Sequence, residues 1–481
     1  MKKVIDKYYW LLFICLTGVL ALLCFYRLGD FNLRPWDELR HGINAFEMMK
    51  NDNYLVNSAC DIVDYSNFKP PLHFYFVIFG YKIFGNNLWG LRFFSALAYL
   101  ILGTIIALFL KIKVNKLASL ISIIILCTCN AYFEYHFIRT GDADSLFILF
   151  IGIALICLFL ANDNSNWLHI TGLMFALAFL TKASHAFFLI PIVFFYYLST
   201  KLYKEVKWWQ YITCSLCALV PILIWAIARY SYDGWTFFHG MFVHDLFVRS
   251  TLMIDGVDAH NYPTFFLEQL RYCKIQLICL ILFLVNLTIK LIKKQRFSNL
   301  DKLCLITFFS IFIIYTFSQT KHTHYLFPAV VPLTLAGATS TIELYKYLKC
   351  LFTKILISGT LIITALFCFY LTVHRLDLQI LFDNYQIIFV ERSYHDGDTA
   401  EIYFENVEIN HSPQYSTYSL ILEWELDSKI KWQDGGFETF LLDDDSYLLI
   451  SEETLKNKTL PEYIQIVGSG QYTLCYNAMH K

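Results

Sequence analysis

The stretch FFSALAYLILGTIIALFL, residues 93–110, contains no charged side chain. As an α-helix, a run of this length approaches the roughly 30 Å hydrocarbon thickness of a bilayer. The rest of the chain has the same character, because 57% of its 481 residues are hydrophobic and only 16% are charged, with a mean hydropathy of +0.49. A soluble core cannot use that much apolar surface. The sequence therefore predicts a polytopic membrane protein.

Ten further runs resemble this one, which makes eleven predicted transmembrane helices. The eleven runs are residues 8–26, 93–110, 117–133, 145–161, 167–180, 186–200, 209–228, 275–289, 303–318, 325–342 and 355–373. The run LHFYFVIFGYKIF, residues 72–84, is shorter, aromatic and interrupted by Lys82. We expect it to form a helix that lies in the membrane interface.

The loop charges orient these helices. Lysines are concentrated at the N-terminus and in the short loops 111–116, 201–207, 290–296 and 346–354. All of these segments fall on one side if residues 72–84 do not span, and the positive-inside rule makes that side cytoplasmic. The opposite side then holds residues 27–92, 134–144, 181–185, 229–274, 319–324 and everything after about 374.

The composition changes near Arg375. Residues 376–481 are polar and alternate in the manner of strands at 415–426 (YSTYSLILEWEL) and 445–451 (DSYLLIS). The sequence thus predicts an all-α membrane domain over residues 1–375. A small soluble domain of β or α/β type follows at 376–481, on the extracytoplasmic side.

Acids, cations and a phenol are placed just outside the predicted spans. Asp37 and Glu38 follow the first span in RPWDELRHG, residues 34–42, and Lys69 precedes two prolines. The acids could instead cap and begin a helix, since GINAFEMM follows with helical spacing. The lysine could simply snorkel to the headgroups.

An ordered set of motifs carries a family resemblance. The motifs are Asp-Glu-x-Arg at 37–40, Lys-Pro-Pro at 69–71, FGNNLWGLRFFSAL at 84–97, an Arg and Asp at 139 and 144, Thr-Lys and Pro at 181–191, and Lys, Tyr and Pro at 321–328. Over residues 8–345 the chain resembles the multi-span glycosyltransferases of family 39, related to aminoarabinose transferases of lipid A and to protein O-mannosyltransferases. The resemblance implies the GT-C fold and a polyprenyl-phosphate sugar donor, and hence an enzyme of the bacterial inner membrane with its site on the periplasmic side.

Such a reaction gives the motif residues roles. A hydroxyl or phosphate oxygen that attacks an anomeric carbon needs a base, whereas a phosphate leaving group departs as a stable anion and needs no acid. Asp37 is the candidate base, and Glu38 or Asp144 would orient the acceptor. The leaving lipid phosphate would be bound by Arg40, Lys69, Arg249, Lys321 and Tyr325. One displacement of this kind inverts the anomeric configuration of a hexosyl or pentosyl group.

This sequence departs from the family pattern at one position that concerns metal binding. In the aminoarabinose branch a glutamate precedes Lys-Pro and pairs with a loop histidine on a metal, but Phe68 stands at that position here, so His244 loses its partner. No cofactor is predicted, and a divalent metal stays open without support. The expected partners are the polyprenyl-phosphate sugar, membrane lipids and an acceptor that is a glycolipid, a polysaccharide or a protein, with no nucleic acid.

Two other functions fit parts of the pattern. A lipid-linked sugar carrier or flippase would need ionisable groups along a path through the spans, which here are almost uncharged. A ligase or polymerase of lipid-linked glycans would use a pyrophosphate-linked oligosaccharide, and more arginine in the outer loops is typical of that task.

Overall fold

The computed structural model of the protein is mostly helical. It describes residues 2–31, 33, 37–134, 136–248, 251, 274–318, 322–348, 351–382, 388–389, 400–405, 430–433, 435–469 and 472–479. Three predicted features lie outside these residues, namely the strand at 415–426 and the side chains of Arg249 and Lys321.

Most of the apolar runs form α-helices. In chain order the described helices are α1 Lys2–Phe25, α2 Asp37–Lys50, α3 Leu72–Phe84, α4 Leu88–Lys113, α5 Lys116–Cys127, α6 Asn130–Glu134, α7 Asp144–Leu160, α8 Trp167–Lys182, α9 Leu189–Thr200, α10 Trp208–Asp233, α11 Thr236–His239, α12 Lys274–Ile292, α13 Asn299–Phe317, α14 Val330–Tyr347, α15 Leu351–Phe382, α16 Gly436–Phe440 and α17 Glu452–Leu455. Short 3₁₀ helices span Ala183–Phe188, Leu202–Lys204 and Thr323–Ala329, and a π-helix spans Gly240–Val248.

Within the described part of the chain, eight helices are long and apolar enough to cross a membrane by length and composition. One of them, Leu88–Lys113, contains the stretch 93–110. Two predicted runs fall on the single segment Trp167–Thr200, and two others fall on the shorter helices α5 and α7. The prediction of a mostly helical polytopic membrane fold is confirmed, while the count of eleven spans stays a prediction.

The helix α3 has the bounds that the sequence predicted for the aromatic run. Its 13 residues extend about 20 Å, which is shorter than the hydrocarbon core of a bilayer. The length suits a helix in the membrane interface, and that placement stays a prediction.

By its packing the chain divides into two units. The first unit contains Met1–Leu28, Phe68–His73 and Phe93–Gln379, and the second contains Gly29–Asn67, Phe74–Arg92 and Ile380–Lys481. The second unit therefore combines the segment that carries Asp37 with the C-terminal part of the chain. The division into 1–375 and 376–481 stays a prediction.

The core of the second unit joins helices and strands. Buried side chains on α2 and α3 share one hydrophobic cluster with Ile402 and Leu449 from the C-terminal strands. Each of these two residues is 0% exposed. The C-terminal strands thus cover one side of the helix that begins at Asp37.

The C-terminal part of the second unit forms a mixed sheet. The described strands are β1 Ser58–Ala59, β2 Ile62–Val63, β3 Ile388–Phe389, β4 Ala400–Glu405, β5 Ile430–Gln433, β6 Tyr447–Ser451, β7 Ile464–Ser469 and β8 Tyr472–Asn477. Six of them form a sheet in the order β3-β7-β8-β6-β4-β5, in which β4 is parallel to β5 and β6 while the other pairs are antiparallel. The predicted strand at 445–451 and the predicted β or α/β class are confirmed.

Candidate functional site

The acids of the Asp-Glu-x-Arg motif begin a helix. Asp37 is the first residue of α2, and both Asp37 and Glu38 lie in its first turn. Carboxylates are favoured there by the partial positive charge of a helix N-terminus. Asp37 and Arg40 are partly exposed, whereas Glu38 is 1% exposed. The two neighbouring acids therefore sit in different environments.

Glu38 is bound by an arginine from the start of α4. Nε and Nη2 of Arg92 donate to the two Glu38 carboxylate oxygens at 2.6 and 3.1 Å. Arg92 also donates from Nη1 to the carbonyl of Phe31 at 2.8 Å, and its guanidinium lies 3.8 Å from the centre of the Phe31 ring. Both charged side chains are 0% exposed. The result is a bidentate ion pair inside the second unit that restrains the first turn of α2.

Asp144 is likewise paired. Lys182, the last residue of α8, donates from Nζ to the two carboxylate oxygens of Asp144 at 2.6 and 2.7 Å. The two side chains are 7% and 6% exposed. A buried carboxylate needs such a counter-charge because desolvation of an isolated ion is costly. The pair joins the beginning of α7 to the end of α8 within the first unit.

The loop before α7 is rich in polar contacts. Nδ1 of His136 lies 3.3 Å from Oδ2 of Asp142, and the hydroxyl of Thr140 donates to the same oxygen at 2.7 Å. Nε2 of His73 lies 2.8 Å from the carbonyl oxygen of Gly141, which makes that nitrogen the donor. The hydrogen bonds of Thr140 and His73 hold this buried, non-helical loop in one conformation.

Tyr325 sits in a cluster of aromatic and imidazole rings. It lies in the 3₁₀ helix Thr323–Ala329, is 8% exposed, and has ring centres of four residues within 5.4 Å of its own. The four neighbours are Tyr315 at 5.2 Å, His185 at 5.4 Å, His322 at 5.1 Å and His324 at 5.0 Å. His185 and Tyr315 are themselves hydrogen-bonded, Nδ1 to Oη, at 2.9 Å. The phenol is therefore oriented by its surroundings.

Lys69 is partly buried between Phe68 and two prolines. The ring of Phe68 lies 6.4 Å from that of His244, centre to centre. The structure thus brings together the two positions that the resemblance pairs, with a phenyl ring where the aminoarabinose branch has a carboxylate. A phenyl ring supplies no metal ligand. Arg249 follows shortly after His244, outside the described residues.

Sequence reasoning assigned no role to three residues that the geometry makes prominent. They are Arg92, Lys182 and His185, the partners of Glu38, Asp144 and Tyr315. A signal was present for the two cations, because Arg92 and Lys182 border the apolar runs 93–110 and 167–180, and a charged side chain at that depth needs a partner. The sequence could not say which of several acids that partner is.

The chain is similar in sequence to a family of mannosyltransferases and to two arabinosyl transferases. Residues 68–225 match the family described as dolichyl-phosphate-mannose-protein mannosyltransferase. Two proteins of Pseudomonas fluorescens, the undecaprenyl phosphate-alpha-4-amino-4-deoxy-L-arabinose arabinosyl transferases 1 and 2, are 25% and 27% identical to the chain. These matches cover 68% and 52% of this chain and 57% and 46% of those proteins. The chain thus spans about half the length of these two relatives.

The fold has a counterpart among solved structures. The crystal structure of ArnT from Cupriavidus metallidurans bound to undecaprenyl phosphate superposes with a TM-score of 0.71, covering 98% of this chain and 99% of that one at 14% identity. At this identity the likeness is one of fold. The protein therefore shares the fold of that structure. The resemblance to the aminoarabinose transferases and protein mannosyltransferases is confirmed, and these comparisons support a membrane glycosyltransferase.

Proposed function

We propose that the protein is an inverting glycosyltransferase that moves a hexosyl or pentosyl group from a polyprenyl-phosphate donor to an acceptor on the periplasmic face of the bacterial inner membrane. The observation that carries the proposal is the family match over residues 68–225, which include Lys69, Asp144 and Lys182. The shared fold with a protein that binds undecaprenyl phosphate supports the donor class. The lysine-rich loops support the orientation. The acceptor is a glycolipid such as lipid A, a polysaccharide or a protein.

The chemistry is a single displacement. The carboxylate of Asp37 accepts the proton of the acceptor hydroxyl as the oxygen attacks the anomeric carbon. A new glycosidic bond forms while the bond from that carbon to the phosphate oxygen breaks. The electron pair leaves with the polyprenyl phosphate, which needs no proton from the enzyme. Attack from the face opposite the phosphate inverts the anomeric carbon.

The ion pairs separate the roles of the three candidate acids. Glu38 and Asp144 each have a buried cation within 2.6 Å, so both are neutralised in place. We assign them positioning roles, Glu38 on α2 and Asp144 at the start of α7. Asp37 is partly exposed and has the accessibility that proton transfer from a substrate needs. It is therefore the base.

The leaving phosphate needs hydrogen-bond donors and positive charge. Tyr325 supplies an oriented phenol, because the surrounding rings restrict it before the donor arrives. Lys69, with Arg40, Arg249 and Lys321, supplies the positive charge that stabilises the departing anion. These assignments are the sequence-based hypotheses carried forward as proposals.

The base is tested by Asp37→Asn. This variant should lower transfer by on the order of a hundredfold or more, because it removes a proton acceptor and preserves size. Transfer is measured by mass spectrometry of surface glycolipids and glycoproteins in a deletion strain that carries wild type or variant. The matched control is Asp52→Asn, which changes an exposed carboxylate in the loop after α2. Activity of Asp37→Asn within about threefold of wild type would show that this acid only begins the helix.

The phosphate site is tested by titration of undecaprenyl phosphate, without a sugar, against purified protein. Lys69→Met and Lys321→Met should each weaken binding by about 1.5 to 3 kcal/mol. The double variant should cost less than the sum if both cations hold one anion. Lys82→Met, at the exposed end of α3, is the matched control. Unchanged affinity in both single variants would remove the phosphate assignment and the main physical reason for preferring a transferase over a carrier.

A further inference from the structure

The ring of Phe68 lies directly against the backbone of Gly240. A Cβ atom added to Gly240 would be 2.0 Å from Cε1 and 2.1 Å from Cζ of that ring. Non-bonded carbon atoms favour separations of about 3.5 to 4.0 Å, so any side chain at position 240 would displace the ring. Gly240 is also the first residue of the π-helix Gly240–Val248.

Phe68 also packs against Phe237, which is held in place by its own contacts. Its ring meets that of Phe237 edge to face at 5.8 Å, and Phe237 is 1% exposed. On Phe237 lies the guanidinium of Arg229, 4.1 Å from the ring centre. Arg229 in turn donates to Oδ2 of Asp233 at 3.0 and 2.7 Å. Phe68 thus packs against a buried ring that a buried ion pair fixes from behind.

The position of Phe68 in the chain makes this contact consequential. The next residue is Lys69, and the two after that are Pro70 and Pro71, whose backbone φ is fixed by the pyrrolidine ring. Lys69 therefore has a packed ring on one side and a stiff backbone on the other. The reach of its ammonium depends on where the Phe68 ring is held.

We propose that Phe68, Phe237 and Gly240 form a seat, here called the Phe68 seat, that positions Lys69 for the phosphate of the lipid-linked donor. This inference rests on the proposed function. Phe68 and Gly240 are positioning residues, since neither needs to touch the donor. The seat acts through Lys69, and it should therefore lose its effect on donor binding when Lys69 is absent.

The test is a double-mutant cycle on undecaprenyl phosphate affinity. Gly240→Ala should weaken binding by about tenfold, since it pushes the ring and displaces the ammonium. Phe68→Leu in the Gly240→Ala background should recover most of that loss because the smaller side chain vacates the clash. In a Lys69→Met background, Gly240→Ala should have no further effect.

Two controls separate positioning from general instability. Gly152→Ala places a Cβ 2.4 Å from Cδ1 of Leu102 elsewhere in the first unit, and it should lower the thermal midpoint without changing affinity. If Gly240→Ala does not fold, Phe68→Ala empties the seat and carries the same expectation of non-additivity with Lys69→Met.

The outcomes distinguish the two proposals. Wild type that binds no undecaprenyl phosphate would overturn the proposed function and the seat with it. Wild type that binds while Gly240→Ala and Phe68→Ala keep its affinity would overturn the seat alone. An equal loss from Gly240→Ala with and without Lys69 would also overturn the seat, because it would show a general structural effect.

Discussion

Removing the Glu38 carboxylate while Arg92 stays in place should destabilise the second unit by about 3 to 5 kcal/mol, the usual cost of leaving a buried charge without its partner. Both side chains are 0% exposed, and the pair is bidentate at 2.6 and 3.1 Å. In Glu38→Leu the guanidinium would keep the carbonyl of Phe31 at 2.8 Å and the Phe31 ring, but no counter-charge from Glu38. Water must then enter the core or the first turn of α2 must move.

The double variant Glu38→Leu/Arg92→Met separates the cost of an unpaired buried charge from the cost of changed side-chain packing. Replacing both partners by apolar side chains of similar volume is often neutral or stabilising, so the double variant should recover most of the loss. In a background whose first-unit cysteines are replaced, a thiol-reactive fluorogenic dye can follow thermal unfolding of the second unit in detergent, because Cys60 and Cys475 are buried. A double variant as unstable as the single one would refute the ion-pair reasoning.

Transfer by the double variant decides how Glu38 acts. If Glu38 works only through Arg92 and the position of α2, the folded double variant should keep its transfer activity within about tenfold of wild type. That loss is much smaller than the hundredfold loss expected for a missing base. A double variant that is stable and as inactive as Asp37→Asn would show that Glu38 takes a direct part in the reaction.

Two further predictions concern α3 and the C-terminal sheet. Cysteines at Tyr65 and Asn87, on either side of α3, should both react with an impermeant thiol reagent from outside; reaction at Tyr65→Cys alone would make α3 a span. Acid should weaken the sheet. Burial raises the pKa of the Glu405 carboxyl, but the hydrogen bond from the backbone N–H of Phe437 and the ammonium of Lys458, 3.1 Å away, lower it by more. The pKa of Glu405 in the folded protein therefore lies below its ordinary value. This stabilisation is complete above about pH 4.3 and is lost as the pH falls through the folded pKa. Glu405→Gln should reduce the pH dependence of the protection of β4 amides from hydrogen exchange. A loss of protection on acidification that is the same as in wild type would contradict the role of Glu405.

The membrane fold could be predicted because its signals are local. A run such as 93–110 has to be helical in a bilayer, where every backbone polar group must be satisfied within the segment. The same reasoning gave α3 its bounds, since charged and turn residues flank an aromatic run. It also separated the runs 167–180 and 186–200, close to Ala183–Phe188, where one helical segment changes from α to 3₁₀ and back. It could not show that this interruption is a 3₁₀ helix, because that depends on backbone geometry which the apolar pattern does not encode.

The pairing of charges could not be predicted, because it depends on contacts between residues far apart in the chain. Glu38 lies 54 residues from Arg92, and Asp144 lies 38 residues from Lys182. Each acid stands in a motif that also fits helix capping or catalysis, so the sequence could not tell a neutralised carboxylate from an accessible one. The tertiary contacts place Glu38 and Asp144 in buried ion pairs, and Asp37, which is partly exposed, remains the base that we propose.

The strands of the C-terminal sheet explain why composition alone gives an incomplete picture of the second unit. Successive side chains of a strand point to opposite faces. In β6, Leu448 and Ile450 belong to one hydrophobic cluster, whereas Leu449 belongs to the cluster that includes α2. In β4, Tyr403 and Ile402 divide between the same two clusters. An alternating pattern predicts one buried face, but Leu448, Leu449 and Ile450 are each 0% exposed, so β6 is buried on both faces and requires a covering layer on each side. One of those layers is the helix that begins at Asp37, so a polar C-terminal sequence and a segment near the N-terminus fold around one core.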